Sequence, residues 1–165
     1  MTLTWTTTDT PIGELLLAAS PNGLVRVAFE CEGFDTVRRD VEHSTGERLV
    51  QGELAGVQAQ LAEYFTGERT VFDLELDWCL STGFRGRVQR ALLGIVYGRT
   101  ETYSQIAHRL GNPKAVRAVG TGCGTNPLPI VAPCHRVLRS DGSLGGYRGG
   151  LDIKRQLLEL EATRA

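Results

Sequence analysis

The sequence predicts an α+β protein. A small N-terminal sheet-plus-helix domain is expected to pack on a mostly helical C-terminal domain with a helix-turn-helix. Three observations carry this expectation. Short apolar runs broken by turn residues dominate the first half, helix-period stripes dominate the second, and the charge balance reverses where the two meet. Residues 1–79 hold 5 Lys and Arg against 14 Asp and Glu, a net −9, whereas residues 80–165 hold 13 against 5, a net +8. The boundary is therefore drawn between 79 and 80. A chain of 165 residues has room for two small domains of this kind.

In the first half, the apolar runs 15–19 and 24–29 flank Ser20-Pro21-Asn22-Gly23 and read as a β-hairpin. Leu54, Val57, Leu61 and Phe65 then recur at spacings of three and four, which predicts a helix stopped by Gly67. Residues 71–76 alternate apolar and polar and read as a strand. Nothing in this half carries catalytic chemistry, and its acidic residues read as a solvated face.

In the second half, Phe84, Val88, Leu92 and Ile95 form one helical stripe ending at Gly98, with Arg85, Arg87 and Arg90 off it. A helix over 102–110 is broken by Gly111-Asn112-Pro113, and a further helix follows over 114–119. Helix, short glycine-containing turn and helix is the outline of a helix-turn-helix, a pattern that also occurs in helical proteins of other kinds. Gly120, Gly122, Gly124 and Asn126-Pro127 read as a loop leading to a strand that ends at Cys134. Residues 140–143 read as a turn and 145–150 as an aromatic-bearing loop. A closing helix starts near Asp152, taken as its N-cap, and includes Leu157, Leu158 and Glu161.

The chemistry-bearing feature is Ile130-Val131-Ala132-Pro133-Cys134-His135-Arg136-Val137. A thiol is a strong nucleophile as its thiolate, and an imidazole can take the proton. The same pair also fits a buried structural thiol beside a surface histidine. The four cysteines, Cys31, Cys79, Cys123 and Cys134, show no CxxC pair and no metal-ligand spacing, so free thiols are expected, with Cys31 and Cys79 in the core. No stretch is long enough to span a bilayer and the N-terminus lacks a signal-peptide pattern, so a cytoplasmic protein is expected. The basic half suits a polyanion such as nucleic acid, although two oppositely charged halves could also attract each other.

At Pro133-Cys134-His135-Arg136-Val137 the chain resembles the O6-alkylguanine-DNA alkyltransferases, also called methylated-DNA–protein-cysteine methyltransferases. Companion matches follow in order: Thr10-Pro11-Ile12-Gly13, Thr102-Tyr103, Arg117-Ala118-Val119-Gly120, Asn126-Pro127, Gly146-Tyr147, Gly149-Gly150-Leu151, Leu157-Leu158 and Glu161. The resemblance spans nearly the whole chain. It implies single-turnover repair of double-stranded DNA that carries O6-alkylguanine, and also O4-alkylthymine. The alkyl group moves to Cys134 and stays there as a thioether, with no cofactor. Some family members carry a structural zinc in the N-terminal domain, but this sequence has no matching Cys/His set, so no metal is expected. His135 takes the thiol proton through a bridging water, and Glu161 orients the imidazole. Tyr103 donates toward the departing base. Asn126 braces the turn before the cysteine.

The resemblance further implies that the damaged nucleotide is flipped out of the duplex, at a cost of a few kcal/mol. Arg117 would fill the vacated space. Ala115, Ala118 and Gly120 would let the second motif helix approach the minor groove. Tyr147, Arg148, Gly149 and Val137 would wall the guanine pocket. A monomer is expected. The sequence departs from the family pattern at Gln89 (often Trp), Val96 (often Pro), Ser104 (often Gly) and Leu138-Arg139 (often Ile-Gly). The alternatives are a non-repairing binder of alkylated DNA, a thiol hydrolase, and a helix-turn-helix transcription regulator that reads a specific operator.

Overall fold

Residues 2–164 are described by a computed structural model, and they divide into two units between Leu80 and Ser81. The first unit contains strands β1 (Thr2–Thr8), β2 (Leu15–Ser20) and β3 (Gly23–Phe29), helix α1 (Phe34–Thr45), strand β4 (Arg48–Gln51) and helix α2 (Ala55–Thr66). Its sheet runs β3-β2-β1-β4, with β1 and β4 parallel and the other pairs antiparallel. The expected hairpin is β2–β3, closed where Ser20 pairs with Gly23. Glycine is required there: at φ 144°, a Cβ on Gly23 would lie 2.5 Å from the Glu75 carbonyl oxygen. Leu3, Leu16, Ala18 and Ala28 cluster with Val37 and Val41 of α1. The expected helix is α2, and Gly67 closes it in the left-handed conformation.

The strand expected over 71–76 does not form. Only Leu76 bridges, to Leu24 at the edge of β3. The backbone of Asp73 is instead satisfied by the Gln60 side chain, whose Nε2 donates to Asp73 O and whose Oε1 accepts from Asp73 N. Sequence reading also misses β1, β4 and α1. Cys31 and Cys79 are exposed rather than in the core, because both lie in short turns outside the sheet.

The second unit contains α3 (Gly83–Ala91), β5 (Glu101–Thr102), α4 (Tyr103–Arg109), α5 (Val116–Gly124), β6 (Val137–Leu138) and α6 (Leu151–Arg164), with β5 and β6 parallel. Helix α3 does not reach Gly98 as expected but gives way to a 3-10 turn at Leu92–Gly94, after which Ile95 is extended. The Ile95 carbonyl then accepts a hydrogen bond from Arg136 at 2.6 Å. Val88, Leu92 and Ile95 are buried, as the stripe predicts.

The helix-turn-helix is α4 and α5. Thr102 caps α4 through a capping box with Gln105. The glycines of α5 do not form the expected loop: the helix runs on to Gly124. A Cβ on Gly122 would lie 2.9 Å from Val88, so glycine is what lets α5 press against α3 at this point. Beyond α5 the expected strand before Cys134 is instead a buried turn, followed by a 3-10 turn at Cys134–Arg136. Asn126 shapes it, donating to Ala132 O at 2.8 Å and accepting from Leu128 N at 3.1 Å. Within this turn Ile130 has φ 73°, a left-handed value that a β-branched residue rarely takes. Asp152 lies inside the first turn of α6, which begins at Leu151.

Candidate active site

Cys134 is 5% exposed and opens on a cavity of about 420 Å³. Tyr103 of α4 lines this cavity, with Val116, Arg117, Gly120, Cys123 and Gly124 of α5 and Arg139, Gly145, Gly146 and Tyr147 from the loops after β6. The second helix of the helix-turn-helix and the 145–147 loop thus face each other across one thiol.

The residues that follow the thiol in sequence, His135 and Arg136, belong to a buried charge cluster. His135 Nε2 donates to Glu161 Oε2 at 2.6 Å. Arg136 donates to the same carboxylate from Nε at 2.7 Å and from a terminal nitrogen at 3.0 Å. Burial opposes ionisation of Glu161, but these hydrogen bonds and charges overcome it and hold the carboxyl at about 2. An ionised acceptor fixes the proton of His135 on Nε2, which leaves Nδ1 as the basic nitrogen. Nδ1 is buried and has no hydrogen-bond partner among the described residues. Burial lowers the His135 pKa despite the opposing pull of Glu161, so the ring is a neutral base at pH 7.

Burial raises the Cys134 thiol above its ordinary range. The Asn126 amide and the charges of Lys154 and Arg148 oppose that rise. Lys154 is itself buried and donates to the carbonyls of Val137 (2.7 Å), Leu144 and Gly146 (3.3 Å). It therefore fastens the cavity loop to β6 while lending positive charge to the thiol. Burial, and then Cys123 and Cys134, push the Tyr103 phenol up to about 12, so it remains a proton donor. Gly145, at φ 71°, leaves space for that phenol, since a Cβ there would lie 2.8 Å from the hydroxyl. The arrangement can ionise a thiol inside a pocket and supply a proton from a phenol that lines the same pocket.

Residues 83–163 match the family model described as the 6-O-methylguanine DNA methyltransferase DNA binding domain, and residues 3–78 match the ribonuclease-like domain of the same family. The chain belongs to the 6-O-methylguanine DNA methyltransferase family. It is 45% identical over 159 residues to a methylated-DNA–protein-cysteine methyltransferase of Mycobacterium tuberculosis, covering 96% of this chain and 92% of the relative. It is 40% identical over 158 residues to the constitutive methyltransferase of Bacillus subtilis, covering 95% and 94%. The crystal structure of Mycobacterium tuberculosis OGT in complex with DNA matches with a TM-score of 0.85 and 44% identity, covering 98% of this chain and 94% of that one. Family membership makes this a DNA-binding methyltransferase of direct-reversal repair.

Within that family frame, the sequence-derived residues divide. Cys134, Tyr103, Arg117, Gly120 and Tyr147 meet at the cavity, whereas Asn126, His135 and Glu161 are buried and do not line it. Ala115 precedes α5, and Ala118 faces a separate hollow with Thr82, Phe84, Arg85 and Thr121. Val137, Arg148 and Gly149 are not among the cavity-lining residues. Val137 is fully buried in β6, and Arg148 turns its guanidinium to the carbonyls of Gly124 (3.1 Å) and Asn126 (3.5 Å). Gln89, where the family often has Trp, is buried in a polar network. It bonds Ser81 and donates to Gly122 O (3.0 Å) and Thr125 Oγ1 (3.4 Å).

Sequence reasoning gives no role to Arg136 or Lys154. Arg136 sits inside the motif pentapeptide, and Arg139, a departure from the family pattern expected to change pocket shape or DNA grip, lines the cavity. Lys154, in a helix of alternating charge, carries no local signal at all.

Proposed function

We propose that Cys134 removes the alkyl group from O6 of guanine, and from O4 of thymine, in double-stranded DNA in one irreversible step. His135 Nδ1 takes the thiol proton, directly or through a solvent molecule. The sulfur attacks the alkyl carbon, the carbon–oxygen bond breaks, and its electron pair leaves with the base. The Tyr103 hydroxyl donates toward the departing base, and the proton lost by the thiol restores the balance. The products are a thioether at Cys134 and an unmodified base. No step regenerates the thiol, so one molecule repairs one lesion.

The observation that carries this reading is the buried thiol on a cavity shared with Tyr103 and Arg117, with a buried, neutral imidazole on the next residue. A base inside the duplex must be flipped to enter such a cavity, at a cost of a few kcal/mol. Arg117 is exposed on α5 beside the cavity and is suited to hold the vacated space. Small residues along α5 favour close approach to the minor groove. The protein acts as a monomer in the cytoplasm in this reading. Among the described residues all four cysteines are free, which suits a reducing compartment, and no helix is long and apolar enough to cross a membrane.

The test mixes the protein with duplex DNA containing O6-methylguanine and measures intact mass, followed by peptide mapping. One added methyl on the Cys134 peptide is expected, with no gain for Cys134→Ser. Restored guanine beside an unmodified Cys134 overturns the proposal. Operator-specific binding that survives loss of Cys134 would favour a regulator instead.

A further inference from the structure

Cys123 is the group at this cavity for which alkyl transfer has no use. It is 8% exposed, lies near the end of α5 and lines the same cavity as Cys134. The two cysteine segments are tied together through Asn126. The Asn126 N–H donates to Cys123 O at 3.3 Å, and its side chain donates to Ala132 O at 2.8 Å. That same Ala132 carbonyl accepts the Cys134 N–H at 2.8 Å. Cys134 is also one of the groups that raise the Cys123 thiol, after burial.

We infer that Cys123 and Cys134 form a dithiol site that captures trivalent arsenicals and thereby locks the alkyl acceptor. Arsenic(III) is soft and takes thiolates in pairs. An organoarsenic dihydroxide reacts with both thiols: two arsenic–oxygen bonds break and two arsenic–sulfur bonds form. The two thiol protons leave in two waters, and arsenic stays trivalent throughout, so neither oxidant nor reductant is needed. The surroundings favour this class over a soft metal cation. Arg117 and Arg139 line the cavity and buried Lys154 lies behind it, so a cation would enter against positive charge, whereas the arsenical and its dithiolate product are neutral. The second arsenic–sulfur bond forms within one molecule, which raises retention by roughly a hundredfold over a single bond.

The probe is phenylarsine oxide added in equimolar amount to the full chain, with intact mass and peptide mapping as readout. The expected product carries one phenylarsenic unit that joins the Cys123 and Cys134 peptides. It resists a monothiol and is released by a dithiol. Cys123→Ala and Cys134→Ala should each lose the adduct on monothiol challenge. The wild-type peptide map stands by itself should either variant fold poorly. An adduct on Cys134 alone, a bridge that includes Cys31 or Cys79, or equal retention by Cys123→Ala overturns the inference. Because the readout is the arsenic adduct, failure here leaves the alkyl-transfer test unaffected.

Discussion

At the level of single residues, Glu161 accepts from His135 and Arg136 while almost fully buried, so one carboxylate serves both the fold and the base. Its folded pKa of about 2 lies below the ordinary 4.5. The unfolded chain therefore binds the proton first as pH falls, and stability is lost between those two values by about 3 kcal/mol. His135 adds an earlier limb. Its folded pKa is also lowered, so stability is full above the ordinary histidine value of 6.5 and declines below it. Urea unfolding followed from pH 8 to pH 2 should show both declines. Glu161→Gln should erase the lower one and cost about 3–5 kcal/mol at pH 7, because it strands the Arg136 charge. An unchanged acid profile in that variant would count against the cluster. Cys134, His135 and Glu161 are legible in the sequence because the motif pentapeptide and its ordered companions name them. Lys154 is not, since its three carbonyl partners come from β6 and the loop that follows, and only the folded chain brings them to one ammonium.

At the level of elements, the contact between α3 and α5 depends on one missing side chain. Gly122→Ala gains helix propensity of about 1 kcal/mol but places a Cβ 2.9 Å from Val88. Overpacking of this kind costs about 1–3 kcal/mol, so net destabilisation is expected. At Gly124, in the same helix, an added Cβ would meet nothing within 4 Å, so Gly124→Ala should be neutral or stabilising. Thermal unfolding of the two variants side by side decides this, and an equal response would refute the packing account. These glycines also explain the main misreading of the sequence. Three glycines at alternate positions look like a loop, because propensity carries no information about the helix packed against them. The 15–29 hairpin is legible because its turn residues and apolar runs are local. Helix α1 is not, since Val37 and Val41 are its only buried residues. The 71–76 segment has the alternation of a strand, but a single glutamine side chain takes the place of a partner strand.

At the level of the whole molecule, the charge split gives the second unit a surplus of cations, of which Lys114 and Arg117 are exposed at and just before the start of α5. Binding to undamaged duplex should weaken linearly in a plot of log affinity against log salt, by about 0.9 per phosphate neutralised. Lys114→Ala should reduce that slope by about one without changing sequence preference, as titrations at several salt concentrations can measure. A salt-independent affinity would argue that the charge split serves only attraction between the two halves of the chain.

The left-handed Ile130 sets a condition on how this protein comes into being. A β-branched residue in that region costs about 1–3 kcal/mol, and only a completed surrounding structure offsets it. The turn that delivers Cys134 thus depends on the packing around it and is not stable as an isolated segment. Until that packing forms, the thiol is an ordinary one without its imidazole, and it has no pocket to admit a base. On the proposed reading, a thiol that can act only once is in this way kept without its pocket until the unit has folded.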